Sequence, residues 1–255
     1  MALCLATSLV EQDGFDAADQ MRRYCNWLDH GYLSNTGRCF DVGGTVRGAL
    51  RRFKQPREPY SGSTDPYTAG NGCIMRLAPV LMYFFPDEAA VVHYAAESSR
   101  TTHGAIECLD ACRLLGVVLL RALSGLDKET VLFAATPAEV ISASIRSIGA
   151  GDYRAKPESA IRGSGYVVQS LEAALWCFWA TDNFESAILK AANLGDDADT
   201  TAAVCGQVAG AVYGDAGIPR RWLERLAQGE LIRGLADQLY QAAQARADGR
   251  RKAAE

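Results

Sequence analysis

Ala2-Leu3-Cys4-Leu5-Ala6-Thr7-Ser8-Leu9-Val10 sets the period for the whole chain. Ala2, Leu5, Ala6, Leu9 and Val10 recur at i, i+3, i+4 and i+7, the stripe of an α-helix with one buried face. The same spacing continues downstream. Asp16 reads as an N-cap, with Met21, Tyr24, Cys25 and Leu28 on the buried face behind it. Thr136-Pro137-Ala138-Glu139 combines a capping threonine, a proline at the first helical position and a capping-box glutamate. A helix is therefore predicted to start there and carry Val140, Ile141, Ile145 and Ile148. Asn183 is predicted to cap a helix with Phe184, Ala187, Ile188 and Ala191, stopped at Gly195. Pro219 opens a further one with Trp222, Leu223 and Leu226. Strand alternation of useful length is absent, and Val131-Leu132-Phe133, its best candidate, is too short to decide. The expected fold is all-α, a single compact multi-helix domain of roughly nine to twelve helices. It is expected over residues 1–241, with 242–255 a fraying, solvated C-terminal tail.

Composition bounds the function. The 255 residues are 49% apolar and 22% charged, with a formal net charge of −4. That balance argues against a strongly basic nucleic-acid binder and against extended disorder. No apolar run approaches the ~20 residues a membrane span needs, and the apolar first residues lack the basic flank of a signal peptide. Eight scattered cysteines form no Cys-x-x-Cys pair, which reads as reduced, buried thiols in a cytoplasmic protein.

Chemistry concentrates in the polar segments between helices. Asn193-Leu194-Gly195-Asp196-Asp197-Ala198-Asp199-Thr200-Thr201 places three carboxylates within four residues at a helix junction. Such charges repel unless a cation or a helix N-terminus neutralises them. Asp197, Asp199 and Thr200 offer hard oxygens suited to Mg²⁺, Mn²⁺ or Ca²⁺, and an over-determined N-cap is the equal alternative. EF-hand spacing fails, with Ala202 and Val208 at its sixth and twelfth positions. Thr68-Ala69-Gly70-Asn71-Gly72-Cys73-Ile74-Met75-Arg76 is either a phosphate-cradling turn or an ordinary Asn-Gly turn. Ser98-Ser99-Arg100-Thr101-Thr102-His103-Gly104 precedes a long helix, where His103 is a ligand contact or a packing residue. In Gly163-Ser164-Gly165-Tyr166, the ring beside two glycines is a stacking face or core. Gly37 to Thr45 is a binding loop or a structural turn.

Taken in this order, these segments resemble the ADP-ribosylglycohydrolase family, whose bacterial members include the dinitrogenase reductase-activating glycohydrolase. The anchors are Gly70-Asn71-Gly72-Cys73-Ile74-Met75-Arg76, Ser98 to Gly104, Gly165-Tyr166-Val167-Val168-Gln169-Ser170-Leu171-Glu172-Ala173-Ala174-Leu175-Trp176, and Asn193 to Thr200. The resemblance implies an all-α fold around a dinuclear Mg²⁺ centre, with Mn²⁺ also serving, and hydrolysis of the bond between ADP-ribose and a modified protein side chain or small acceptor. It implies Asp197, Asp199 and Thr200 as metal ligands, with Asp197 and Asp199 catalytic. Gly70, Asn71 and Gly72, with Thr68 contributing, match the diphosphate turn. His103 matches a histidine near the ribose, and Gly165 and Tyr166 match the segment flanking adenosine. Partners implied are an ADP-ribosylated protein or small ADP-ribose derivative, with no nucleic acid and no membrane.

One departure stands out. Family members carry a Thr-Asp-Asp-Thr motif ahead of a helix resembling Met1 to Ala6, and this sequence is expected to begin just after it. Asp13, Asp16 and Asp19 do not replace that grouping. The alternative reading is therefore a catalytically inactive ADP-ribose- or nucleotide-binding module. A purely structural helical protein would leave the ordered polar loops unexplained.

Overall fold

The computed structural model describes residues 1–55 and 57–254, with only the backbone described for 250–254. Among the described residues there are thirteen α-helices, joined by short 3₁₀ turns. They are α1 (Ala2–Glu11), α2 (Ala17–His30), α3 (Gly44–Lys54), α4 (Ala78–Phe84), α5 (Glu88–Arg100), α6 (Ile106–Leu123), α7 (Lys128–Phe133), α8 (Ala143–Ala150), α9 (Val167–Trp179), α10 (Phe184–Ala192), α11 (Ala198–Tyr213), α12 (Arg220–Leu223) and α13 (Gly229–Ala254). β-pairing among the described residues is confined to two isolated bridges, Ser63 with His103 and Gly70 with Tyr166.

The apolar pattern explains the layout. α6 is buried on nearly every side from Cys108 to Leu120 and forms the central rod. α5 lies along it, and Gly116 lets the two approach: a Cβ there would sit 3.3 Å from Val91 Cγ1. α9 and α11 pack against α6 from another side, and α10 closes over both. α1 and α4 form a smaller layer covered by α13. Within α13, Leu235, Leu239 and Ala243 are buried, and the Arg246 guanidinium lies over the rings of Tyr83 and Phe84. No helix among the described residues is long and apolar enough to cross a membrane. All eight cysteines are free: Cys4, Cys73, Cys108, Cys112, Cys177 and Cys205 are buried, and Cys25 and Cys39 are half-buried.

Two N-caps stand where the sequence puts them. The Asp16 side chain accepts from the Asp19 amide, and that of Asn183 from the Ser186 amide. The start at Thr136 is corrected. Residues 134–142 are irregular, and the helix begins at Ala143. The cause is tertiary. Asp110, wholly buried on α6, accepts the amides of Ile141 and Ser142 at 2.8 and 2.7 Å. Arg146 Nε donates to the Val140 carbonyl. The backbone groups a helix would have satisfied are thus taken by side chains. Val131-Leu132-Phe133 falls in α7, capped by Asp127. The helix after Pro219 is a single turn in which no residue is buried.

Candidate functional site

Three of the polar segments meet, although they are far apart in sequence. The Ala69 carbonyl accepts from the Val167 amide at 3.0 Å, and the Asn71 amide donates to the Gly165 carbonyl at 3.1 Å. The Asp197 amide in turn donates to the Gly163 carbonyl at 2.8 Å. A Cβ on Gly163 would lie 2.6 Å from Thr201 Oγ1, so the absence of a side chain lets this loop lie against the start of α11.

Asn71 is the junction. Its side-chain amide donates to Asp197 Oδ2 at 2.6 Å and lies 3.4 Å from both Ser170 Oγ and the Ser164 carbonyl. Asn71 is buried, which strengthens a hydrogen bond to a carboxylate. Asp197 occupies the N-cap position of α11 but makes no side-chain cap bond. Its carboxylate is turned to Asn71 rather than to the first amides of α11.

Behind the turn stands His103, with 1% of its surface exposed. Its Nδ1 is 2.7 Å from Thr102 Oγ1. A Cβ on Gly72 would lie 3.0 Å from its Cε1, and one on Gly70 3.6 Å from its Nε2. Gly72 lets the turn lie on the imidazole, whereas at Gly70 the approach is an ordinary contact. Burial pushes the His103 pKa down to about 4, so the ring is neutral at pH 7. Arg76 ties the same turn to the end of α5. It donates to the carbonyls of Gly72 and Ser98 and to Thr102 Oγ1, at 3.1, 3.0 and 2.7 Å.

In front of the turn lies a cavity of about 850 Å³, bounded by Thr68, Ala69, Gly70, Gly165 and Tyr166 among others. The Tyr166 hydroxyl donates to Glu107 Oε2 at 2.6 Å, and Ser144 Oγ donates to Glu107 Oε1 at 2.8 Å. Thr45 also lines the cavity, and its hydroxyl donates to the Thr68 carbonyl. Thr68's own hydroxyl donates to the Asp65 carbonyl. Sequence reasoning missed Glu107, Ser142 and the role of Thr45. Only their nearness to the His103 and Gly37–Thr45 segments could have flagged Glu107 and Thr45, and Ser142 carried no signal.

Gly195 and Asp196 both have positive φ, +80° and +53°, and turn the chain into α11. Asp199 is exposed and accepts the Thr200 amide at 2.9 Å, while Thr200 is buried. Asp197, Asp199 and Thr200 thus place hard oxygens on one helical turn, a set that suits Mg²⁺ or Mn²⁺. Among the described residues, no group of three His, Cys, Asp or Glu stands close enough to hold a metal. Two carboxylates and one hydroxyl are fewer than the six or more oxygens such a cation takes.

An all-α domain whose helix-linking loops converge in this order defines a class. The family model for ADP-ribosylglycohydrolase matches residues 1–249, and the chain belongs to that family. It is 44% identical over 244 residues to the ADP-ribosylarginine hydrolase Tri1 of Pseudomonas putida (strain GB-1), covering 94% of this chain and 64% of that protein. To the Tri1 of Serratia proteamaculans (strain 568) it is 42% identical over 242 residues, covering 94% and 65%. The chain thus spans just under two thirds of the length of these curated relatives. A solved structure described as an ADP-ribosylglycohydrolase-related protein complex superposes with a TM-score of 0.82 at 40% identity, covering 95% of this chain and 79% of that one.

Proposed function

We propose that this chain binds ADP-ribose in the cavity before the Gly70 turn and hydrolyses the glycosidic bond between ADP-ribose and a protein side chain. Arginine is the acceptor suggested by the names of the Tri1 relatives. The observation that carries the reading is the Asn71 bridge. One side chain joins the phosphate-type turn to Asp197, and its own backbone joins it to the Tyr166 segment.

Each residue has a role in this reading. The Gly70-Asn71-Gly72 turn would receive the diphosphate through the Gly72 amide, because those of Gly70 and Asn71 already donate to the Thr68 and Gly165 carbonyls. Neutral His103 supports the turn from beneath and adds no charge there. Tyr166 offers its half-exposed ring to the adenosine. Thr68 shapes the turn through its carbonyl, which receives the Thr45 hydroxyl. Asp197, Asp199 and Thr200 would hold a divalent cation, Mg²⁺ or Mn²⁺. When bound, such an ion supplies a grip on the ribose diol and polarises water against an oxocarbenium-like transition state. Asn71 fixes one oxygen of Asp197 and so sets the direction of the carboxylate. The free thiols support a cytoplasmic setting.

A second reading, binding without hydrolysis, is favoured by one observation: two carboxylates and a hydroxyl are few ligands for a cation that prefers six or more oxygens. Calorimetric titration of this chain with ADP-ribose, with and without Mg²⁺, separates the two. The enzyme reading expects Mg²⁺-dependent binding that Asp197→Ala abolishes. Asn71→Ala is expected to weaken binding roughly 10- to 100-fold, the value of a buried charge-assisted hydrogen bond. Mg²⁺-independent binding lost only in Asn71→Ala supports the module. No binding by a folded sample overturns both.

A further inference from the structure

Among the described residues Glu107 is the one carboxylate on the cavity wall, and the Asn71 bridge does not involve it. It sits in the first turn of α6. Hydroxyl donors from the starts of two other helices hold both its oxygens: Ser144 of α8 on Oε1 and Tyr166, the N-cap of α9, on Oε2. Among the described residues it forms no ion pair with Lys, Arg or His. A carboxylate held this rigidly accepts hydrogen bonds but donates none. Three large side chains line the same cavity with much of their surface exposed: Tyr67 at 99%, Ile106 at 42% and Tyr166 at 37%. Flat and apolar faces beside a fixed acceptor make a slot for a ring that presents an N–H edge.

We propose that Glu107 is a base-specificity residue, which selects a nucleobase carrying an exocyclic amino group and rejects one carrying a carbonyl at the same place. The inference rests on the cavity being an ADP-ribose site. Adenine offers a 6-amino donor to the carboxylate. Hypoxanthine offers a 6-oxo acceptor, which sets two oxygens against each other. Tyr166 is then a positioning residue as well as a wall, because its hydroxyl fixes the carboxylate. Ser144 fixes it from the opposite oxygen.

The test compares ADP-ribose with inosine diphosphate ribose by calorimetry in Mg²⁺. The wild-type chain is expected to prefer ADP-ribose by about 10-fold or more. Glu107→Gln, whose amide can also donate to a 6-oxo group, is expected to bring the two affinities within about threefold of each other. Tyr166→Phe keeps the ring and the carboxylate but frees one carboxylate oxygen, and is expected to reduce the preference by less than Glu107→Gln does. Circular dichroism and a thermal melt establish that each variant folds. If Glu107→Gln does not fold, Glu107→Asp withdraws the carboxylate by one methylene and is expected to reduce the preference. Equal wild-type affinities, or a ratio unchanged in the folded Glu107 variant, overturn the proposal while leaving ADP-ribose binding intact. A folded wild-type chain that binds neither ligand removes the ADP-ribose reading itself, and this inference with it.

Discussion

His103 joins stability to the site at the scale of one residue. Its pKa falls from the ordinary 6.5 to about 4 because burial disfavours the charged ring. Between those values the unfolded chain binds a proton there and the folded chain does not. Stability from this residue is therefore complete above pH 6.5 and is lost as pH falls toward 4, by on the order of 3 kcal/mol. Urea midpoints at pH 7 and pH 4.5 are expected to show the drop, and His103→Gln is expected to remove the His103 part of it. An unchanged slope in the variant would place the acid sensitivity elsewhere. The sequence marked His103 but left its role open, because a histidine before glycine looks the same whether it touches ligand or supports a turn. What decides is burial against Gly70 and Gly72, which comes from segments about thirty residues away. Asp197 shows the same limit. Its residue type announced a cap or a ligand, and only Asn71, 126 positions distant, turns its side chain from the cap.

At the scale of elements, the loop before the Gly70 turn is held backbone to backbone. The Gly62 amide donates to the Arg100 carbonyl and the Gly104 amide to the Ser63 carbonyl. A Cβ on Gly62 would lie 2.6 Å from the backbone nitrogens of His103 and Gly104, atoms that no rotamer change can move. Gly62→Ala is expected to cost about 1–3 kcal/mol, the usual range for overpacking a closed site, and to weaken ADP-ribose binding because the turn and His103 separate. A melting temperature and affinity equal to wild type would show that the loop is freer than this packing. Elements with local signals were legible: α1 through its stripe, α2 and α10 through their caps. The Thr136 start failed although its signature was strong. Asp110, a residue of another helix, supplies the amides of Ile141 and Ser142 with an acceptor, and no local pattern encodes that.

For the whole molecule, the all-α class followed from period alone, because nearly every buried stretch repeats at helical spacing. How the rods stack did not follow. That α6 is the axis and that α13 reaches back over α1 and α4 depends on contacts between distant segments. The distribution of thiols across this packing has a practical consequence. Six sit in the interior, where a reagent in solvent reaches them only when the surrounding helices part, and two are already within reach. Burial also raises the pKa of five of the six, to about 12 for Cys177, while at Cys73 burial is outweighed by hydrogen bonds from Cys108 and Cys112, which lower its pKa, so that Cys73 is held back by the packing around it alone. The chain therefore carries its own clocks. With a thiol-specific chromogenic reagent in native buffer, Cys25 and Cys39 are expected to react early and the other six late. Peptide mapping of the slow phase would time the parting of α6 from the Gly70 turn through Cys73 and Cys108, and of α9 from α11 through Cys177 and Cys205. Eight equal, rapid reactions would mean an interior far more open than the packing described above. Distinct rates would turn a static arrangement of sulfur atoms into a map of which helices separate first.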